Sequence, residues 1–119
     1  MHWSEQLHQF RCSTNYWPLV HGIELSDGAR FVTNSASARW LMLVIARELR
    51  DAGVNYIYFQ ISIRSVAWHT RLKFTDIAGS SVFACTAHNQ RLDVADFELR
   101  AAWCGSSWLI MLPTEDFKN

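Results

Sequence analysis

The second half of the chain alternates between apolar and polar residues, the pattern of strands that bury one face. In the segment NYIYFQISIRSV, one side is formed by Ile57, Phe59, Ile61 and Ile63. The segments WHTRLKFTD and FELRAAW repeat this alternation, and SSVFACTA and SWLIMLP are typical of shorter strands. Because the last two strands flank the four residues CGSS, which include Gly105, they predict a hairpin.

Both strands of this predicted hairpin carry a tryptophan. Trp103 shares its side of the strand with Phe97 and Leu99, and this pattern predicts that its indole is buried in the core. Trp108 lies in a strand that is apolar on both sides, so the pattern does not assign its indole to the core or to the surface.

The beginning of the chain predicts a short helix and a turn. Trp3, Leu7 and Phe10 follow the spacing of one helical face, so we expect a short amphipathic N-terminal helix. Further on, Asp27-Gly28 stands between two short runs that contain apolar residues. This dipeptide is a strong turn signal and predicts a hairpin or tight bend.

The segment ASARWLMLVIARELRDAG predicts the longest helix of the chain. Asn34 or Ser35 can cap its start, and Gly53 can end it in a left-handed conformation. At helical spacing, one side is apolar and contains Ala38, Leu41, Met42, Ile45, Leu49 and Ala52. The opposite side is only partly polar, because Trp40 and Leu43 lie among its charged residues.

These elements predict a single α+β domain over residues 1–119. The expected architecture has two layers, an antiparallel sheet of five or six strands covered by one long helix and a short N-terminal helix. A chain of 119 residues, half of them apolar, is long enough for one core. The sequence contains no internal repeat and no linker rich in Pro, Gly or Ser that would divide it.

Charge and cysteine content limit the classes of function. The 11 basic residues balance the 11 acidic ones, which disfavours the strong electrostatic attraction of typical nucleic-acid or membrane-surface binders. Three widely spaced cysteines do not suggest a disulfide framework. No secretion signal is visible, and the run WLMLVIA is too short to span a bilayer. We therefore expect a cytoplasmic protein with no membrane partner.

The sequence shows no pattern of catalytic or metal-binding residues. Cys85 and His88 form one mixed pair, whereas a structural zinc site normally has two close ligand pairs. There is no nucleophile elbow and no glycine-rich phosphate loop. The sequence therefore predicts no metal site, no cofactor and no enzymatic activity.

Two surfaces remain as candidate binding sites. The first is the partly polar side of the long helix, where tryptophan and arginine are residue types typical of protein interfaces. It comprises Arg39, Trp40, Leu43, Arg47 and Arg50. The alternative is that Trp40 packs in the core and this side has no partner.

The second surface is the outward side of the predicted central strands, where aromatic and basic residues suit nucleic acid. It comprises Tyr56, Tyr58, Arg64, His69, Arg71 and Lys73. Its alternative is an ordinary solvated sheet surface.

Several short motifs give the chain a family resemblance. In order they are LHQF, SDGARF, ARWLMLVIA, FQISI, LDVADFEL and LIMLPTE. Together they resemble a family of uncharacterised small bacterial proteins, a domain of unknown function found on plasmids, prophages and other mobile elements. Typical members carry Thr-Asp-Phe-Pro-Leu near the end, where this chain has Ala95-Asp96-Phe97-Glu98-Leu99. They finish in Leu-Pro-Ser-Glu, which Leu112-Pro113-Thr114-Glu115 matches with one change.

The resemblance implies a function through protein contact. Accessory proteins of mobile DNA frequently bind and inhibit host machinery, so the expected partner is a protein or protein–nucleic-acid complex, such as a CRISPR-like defence system or a regulatory complex. Direct nucleic-acid binding is the alternative. A small-ligand binder or enzyme is a third, and it would require a deep pocket with converging polar groups. Homodimerisation through a sheet edge or the helix is also left open by the sequence.

Overall fold

In the computed structural model, which describes residues 2–53 and 55–115, the chain forms one sheet with helices packed against it. The helices are an N-terminal 3₁₀ helix (Trp3–Gln9), α1 (Asp27–Ser35) and α2 (Arg39–Asp51). The strands are β1 (Trp17–Val20), β2 (Ile23–Leu25), β3 (Tyr58–Val66), β4 (His69–Thr75), β5 (Ser81–His88), β6 (Asp96–Trp103) and β7 (Trp108–Met111).

The sheet has seven strands in the order β1-β2-β7-β6-β3-β4-β5. Every neighbouring pair is antiparallel except β2 and β7, which run parallel. The predicted fold class is therefore wrong, because the sheet is mixed and is covered by two α-helices and a 3₁₀ helix rather than by one long helix. The extra strands β1 and β2 are four and three residues long, too short for an alternating pattern to indicate them.

The core lies between the helices and one face of the sheet. Phe59, Ile61 and Ile63 of β3 are buried in the same cluster as Leu41 and Ile45 of α2. Alternate residues of β3 and β4 point to the opposite face, which is polar and partly exposed. In β3 and β4, strand alternation therefore separates a helix-covered face from an uncovered face, whereas on β6 and β7 the second face also buries a small cluster of Ala102, Leu109 and Met111.

Asp27-Gly28 begins a helix instead of forming the predicted turn. The hydroxyl oxygen of Ser26 accepts a hydrogen bond from the backbone N–H of Ala29 at 3.1 Å and caps α1. A Ser-Asp-Gly sequence suits a helix start as well as a bend, since Ser is a preferred N-cap and Asp is favourable in the first turn. The residues that we expected to cap the long helix, Asn34 and Ser35, instead end α1.

The segment that follows β7 contacts the start of α1 through a buried carboxylate. Glu115 is fully buried, and its Oε1 accepts hydrogen bonds from Ser26 Oγ at 2.6 Å and from the Leu112 backbone N–H at 2.9 Å. Its Oε2 accepts from the backbone N–H of Gly28 at 3.1 Å. The SDGARF and LPTE motifs are thus two halves of one structural contact.

Asp27 holds the segment that precedes β1. Its Oδ1 accepts from Trp17 Nε1 at 2.9 Å, and its Oδ2 accepts from the Thr14 backbone N–H at 2.9 Å and from the backbone N–H of Asn15 at 3.3 Å. Burial alone would raise the pKa of this carboxyl, but the hydrogen bonds from Trp17, Thr14 and Asn15 outweigh it and lower the pKa below 3.8.

We expect Asp27→Asn to change how stability depends on pH. Because the pKa of Asp27 is lower in the folded state, its carboxylate stabilises the fold above the unfolded value of 3.8. That contribution disappears as the pH falls through the folded pKa. The difference in free energy of unfolding between wild type and Asp27→Asn, measured with urea, should therefore be constant near neutral pH and should shrink in acid. A difference that is unchanged in acid would contradict this account.

Candidate functional site

A cleft of about 410 Å³ opens at one end of the sheet. It lies where α2 ends, between this helix and the ends of β2, β6 and β7. Three aromatic side chains, Tyr56, Trp103 and Trp108, form its walls, and Ile23 and Leu49 contribute to its apolar lining.

The tryptophan walls are fixed by packing and by backbone hydrogen bonds. The Trp108 ring stacks on Phe59 at 5.8 Å between centroids and meets the Trp103 ring edge-on at 5.8 Å. The backbone N–H of Trp108 donates to the Gly22 carbonyl at 2.9 Å, and that of Trp103 donates to the Ile57 carbonyl at 2.9 Å. The cleft is therefore preformed by the sheet.

The two tryptophans of the hairpin have different environments. Trp108 is 6% exposed and belongs to the core. Trp103 is 43% exposed, so the prediction that its indole is buried is wrong. Trp103 is the last residue of β6, and it lies at an end of the sheet that the helices do not cover. Beside it, Ile57 is 63% exposed.

The rim of the cleft carries one arginine. Arg50 lies in the last turn of α2, where a positive charge is favourable to the helix dipole. Its Nη2 donates to the backbone carbonyl of His21 at 2.9 Å, and both residues line the cleft. Arg50 is the one member of the predicted helix surface that lies at this cleft.

The other members of that helix surface lie elsewhere. Arg39, Leu43 and Arg47 are exposed, while Trp40 is half-buried and packs against the core. The helix surface is thus less apolar than its sequence suggested, because much of the Trp40 ring is directed inward.

The predicted sheet surface is largely brought together. Tyr58, Arg64, His69, Arg71 and Lys73 share the uncovered face of β3 and β4. Tyr56 does not belong to it, because it precedes β3 and its ring lies 5.1 Å from that of the buried Phe59. Arg64 and Arg71 stand directly opposite each other on neighbouring strands.

Acidic residues of β6 border this basic surface. Asp96 pairs with Arg64 in the strand register and approaches its Nε at 3.8 Å, with both side chains exposed. Glu98 accepts a hydrogen bond from Gln60 at 3.3 Å. The uncovered face therefore has basic residues on β4 and two acidic residues at the start of β6.

Two cysteine thiols have a raised pKa. Burial, and then the neighbouring Glu48 carboxylate, raise the pKa of Cys85 to about 11, and Arg47 acts in the opposite sense. Burial and Glu24 raise the pKa of Cys104. A raised pKa disfavours the thiolate that a nucleophile or metal ligand requires. Within residues 2–53 and 55–115, no three His, Cys, Asp or Glu side chains are grouped so that they could hold a metal ion.

The cleft could not be derived from sequence patterns, since it joins residues from three distant segments, 21–23, 49–56 and 103–108. One signal was present, namely the two tryptophans on either side of a short turn. Among the helices described, none has the length and apolar character needed to cross a membrane.

The chain matches a known protein family. The family described as "Family of unknown function (DUF6876)" matches residues 1–116 of the chain. No curated protein and no solved structure matches it. The expectation of an uncharacterised domain family is confirmed, while the bacterial or mobile-element origin stays a prediction.

Proposed function

We propose that this chain, which belongs to the DUF6876 family of unknown function, is a protein-binding module. Its partner would insert an apolar or aromatic side chain into the cleft formed by Tyr56, Trp103 and Trp108. The observation that carries the proposal is the exposed indole of Trp103 at the edge of this preformed apolar cleft.

The chemistry of the cleft favours an apolar anchor. Burying one large apolar side chain contributes about 1.5–3 kcal/mol, and residues of this kind dominate many interfaces when they fill a pocket. Tryptophan, tyrosine and arginine are the residue types most enriched at such positions. The Arg50 guanidinium is already bonded to the His21 carbonyl, so little side-chain freedom is lost when a partner covers it.

The surface around the cleft favours a protein over a small molecule. Ile57 next to Trp103 is exposed, and so is Ile77, in the loop between β4 and β5. Gln60 pairs with Thr75, so this loop lies at the same end of the sheet as the start of β3. Apolar side chains therefore extend well beyond the cleft, as suits a partner surface larger than one ligand.

The proposed role is non-enzymatic, and the family resemblance supplies its context. We propose host defence complexes of CRISPR-like type and regulatory complexes as the first candidate partners, with the protein acting as an accessory factor of a phage or plasmid. This part of the proposal rests on analogy with mobile-element proteins.

A second candidate function is nucleic-acid binding on the uncovered sheet face. It is favoured by the opposed Arg64 and Arg71, because like charges directly across a strand pair repel each other and a bound phosphate would relieve this repulsion, which Asp96 relieves on the Arg64 side alone. Lys73 and Tyr58 on the same face would add a charge and a stacking surface. The balanced net charge and the acidic neighbours on β6 make it the weaker candidate.

Trp103→Ala is expected to weaken partner binding strongly while leaving the protein folded. Wild type, Trp103→Ala and a control, Trp68→Ala, would be immobilised and exposed to nuclease-treated bacterial lysate. Trp68 is 79% exposed in the turn between β3 and β4, at the opposite end of the sheet, which makes it a matched control. A stoichiometric protein should bind wild type and Trp68→Ala, and its affinity for Trp103→Ala should fall about 30-fold, the effect of losing a hot-spot residue.

Equal capture by all three proteins would refute the cleft as the binding site. Material that is retained only without nuclease, and that is lost on Arg71→Glu together with Lys73→Glu, would support the second candidate. Circular dichroism of each variant separates loss of binding from loss of fold.

A further inference from the structure

The two edges of the sheet are built differently. The edge strand β1 is four residues long, contains Pro18 and has an irregular register between Pro18 and Val20. Short length, proline and bulges are the features by which edge strands avoid pairing with other chains. The opposite edge strand, β5, is eight residues long and contains no Pro, Lys, Arg, Asp or Glu. Within the described chain it pairs with β4 alone.

The hydrogen-bond pattern shows which groups of β5 face outward. The Ser65 N–H donates to the Ala95 carbonyl at 2.9 Å, so odd-numbered residues of β3 bond to β6 and even-numbered ones bond to β4. Because antiparallel pairs alternate, the residues of β5 that bond to β4 are Phe83, Cys85 and Ala87. Ala84 and Thr86 consequently direct their backbone N–H and C=O groups away from the sheet.

The surroundings of this edge suit an identical strand. The side chains of Ala84 and Thr86 are small, so they do not obstruct a strand that approaches in the plane of the sheet. On the helix-covered face, α2 flanks the edge, since Glu48 and Arg47 both act on the Cys85 thiol. These two residues form an ion pair with each other, Arg47 Nη2 to Glu48 Oε1 at 3.3 Å, so their charges balance beside this edge and do not oppose a second copy.

We propose that β5 pairs antiparallel with β5 of a second copy of this chain, so that the two sheets form one continuous sheet in a symmetric dimer. The fullest overlap places Ala84 of each copy opposite Thr86 of the other and the two Cys85 residues opposite each other. This pairing satisfies the outward backbone groups and leaves only the protected β1 edges exposed. It involves the end of the strand order opposite β1 and β2, so the aromatic cleft stays free.

The dimer is tested with Thr86→Pro, because the N–H that proline removes is one that β4 does not use. Sedimentation equilibrium of the purified wild-type chain should give twice the 13.8 kDa chain mass. Thr86→Pro should give the mass of one chain, with an unchanged circular dichroism spectrum. A wild-type chain that is monomeric at several hundred micromolar would overturn the proposal. A Thr86→Pro variant that remains dimeric would do so too.

Amide hydrogen exchange provides a second test that requires no substitution. In the dimer, the amides of Ala84 and Thr86 should exchange as slowly as those of Phe83 and Cys85, and dilution should release the first pair alone. Fast exchange of Ala84 and Thr86 at a concentration where the protein is dimeric would show that the dimer uses another surface. Because neither test involves Trp103, failure of this proposal leaves the cleft proposal untouched.

Discussion

Replacing Glu115 with alanine should lower the free energy of unfolding by about 3–5 kcal/mol, since three hydrogen bonds are lost and each buried donor left unsatisfied costs about 1–3 kcal/mol. The donors are Ser26 Oγ and the backbone N–H groups of Gly28 and Leu112. Urea unfolding followed by tryptophan fluorescence measures the change, and a loss of this size is a large fraction of the stability of a small domain.

A neighbouring substitution provides the control for this prediction. Thr114 is exposed and donates one hydrogen bond from its hydroxyl to the Phe10 carbonyl at 2.9 Å. Thr114→Ala should cost about 1 kcal/mol or less, the usual net value of one hydrogen bond. If Glu115→Ala were no more destabilising than Thr114→Ala, the hydrogen bonds of the buried carboxylate would not stabilise the fold as proposed.

Gly28→Ala is expected to destabilise the fold by about 3 kcal/mol, the upper part of the range for overpacking a rigid site. A Cβ at this position would lie 2.5 Å from Glu115 Oε1 and 2.5 Å from Leu112 Cδ1. Both side chains are buried, so neither can move aside without breaking other contacts. The higher helix propensity of alanine, about 1 kcal/mol, would offset only part of this clash.

Two further variants isolate the clash. At Gly105 an added Cβ meets nothing within 4 Å, and only a φ of +94° opposes it, so Gly105→Ala should cost about 1 kcal/mol. The double variant, Gly28→Ala with Glu115→Ala, should lose less free energy of unfolding than the two single variants lose together, because removing the carboxylate makes room for the methyl group. Strict additivity would argue against a direct contact.

Sequence patterns indicated the local elements of the fold better than their assembly. The alternation of Phe59, Ile61 and Ile63 correctly assigned the buried side of β3, because it depends on that strand alone. Asp27-Gly28 was wrongly assigned to a turn. The glycine is required by the close approach of the Glu115 carboxylate, which lies 87 residues away along the chain. A contact of that kind leaves no periodic signal.

The candidate site shows the same limit. Arg64 and Arg71 were placed on one face correctly, since neighbouring strands of a hairpin keep their alternation in register. Trp103 was assigned to the core because it alternates in phase with Leu99, yet the cover of the sheet ends before it. Alternation tells which face a side chain joins, but not how far along the strand that face is covered.

The position of β7 has a consequence for how the protein is made. Within the part of the chain that the structure describes, this strand follows the other six along the sequence but lies between β2 and β6, and it pairs Ile23 with Trp108. Before residues 104–111 have been synthesised, the strands β1 and β2 have no strand that joins them to β6, so any sheet that the preceding strands form has open edges on β2 and β6. Closing a contact between such distant residues is slow, and open edges favour aggregation. Nascent chains stalled before residue 108 should therefore depend on chaperones, whereas those released after residue 115 should not.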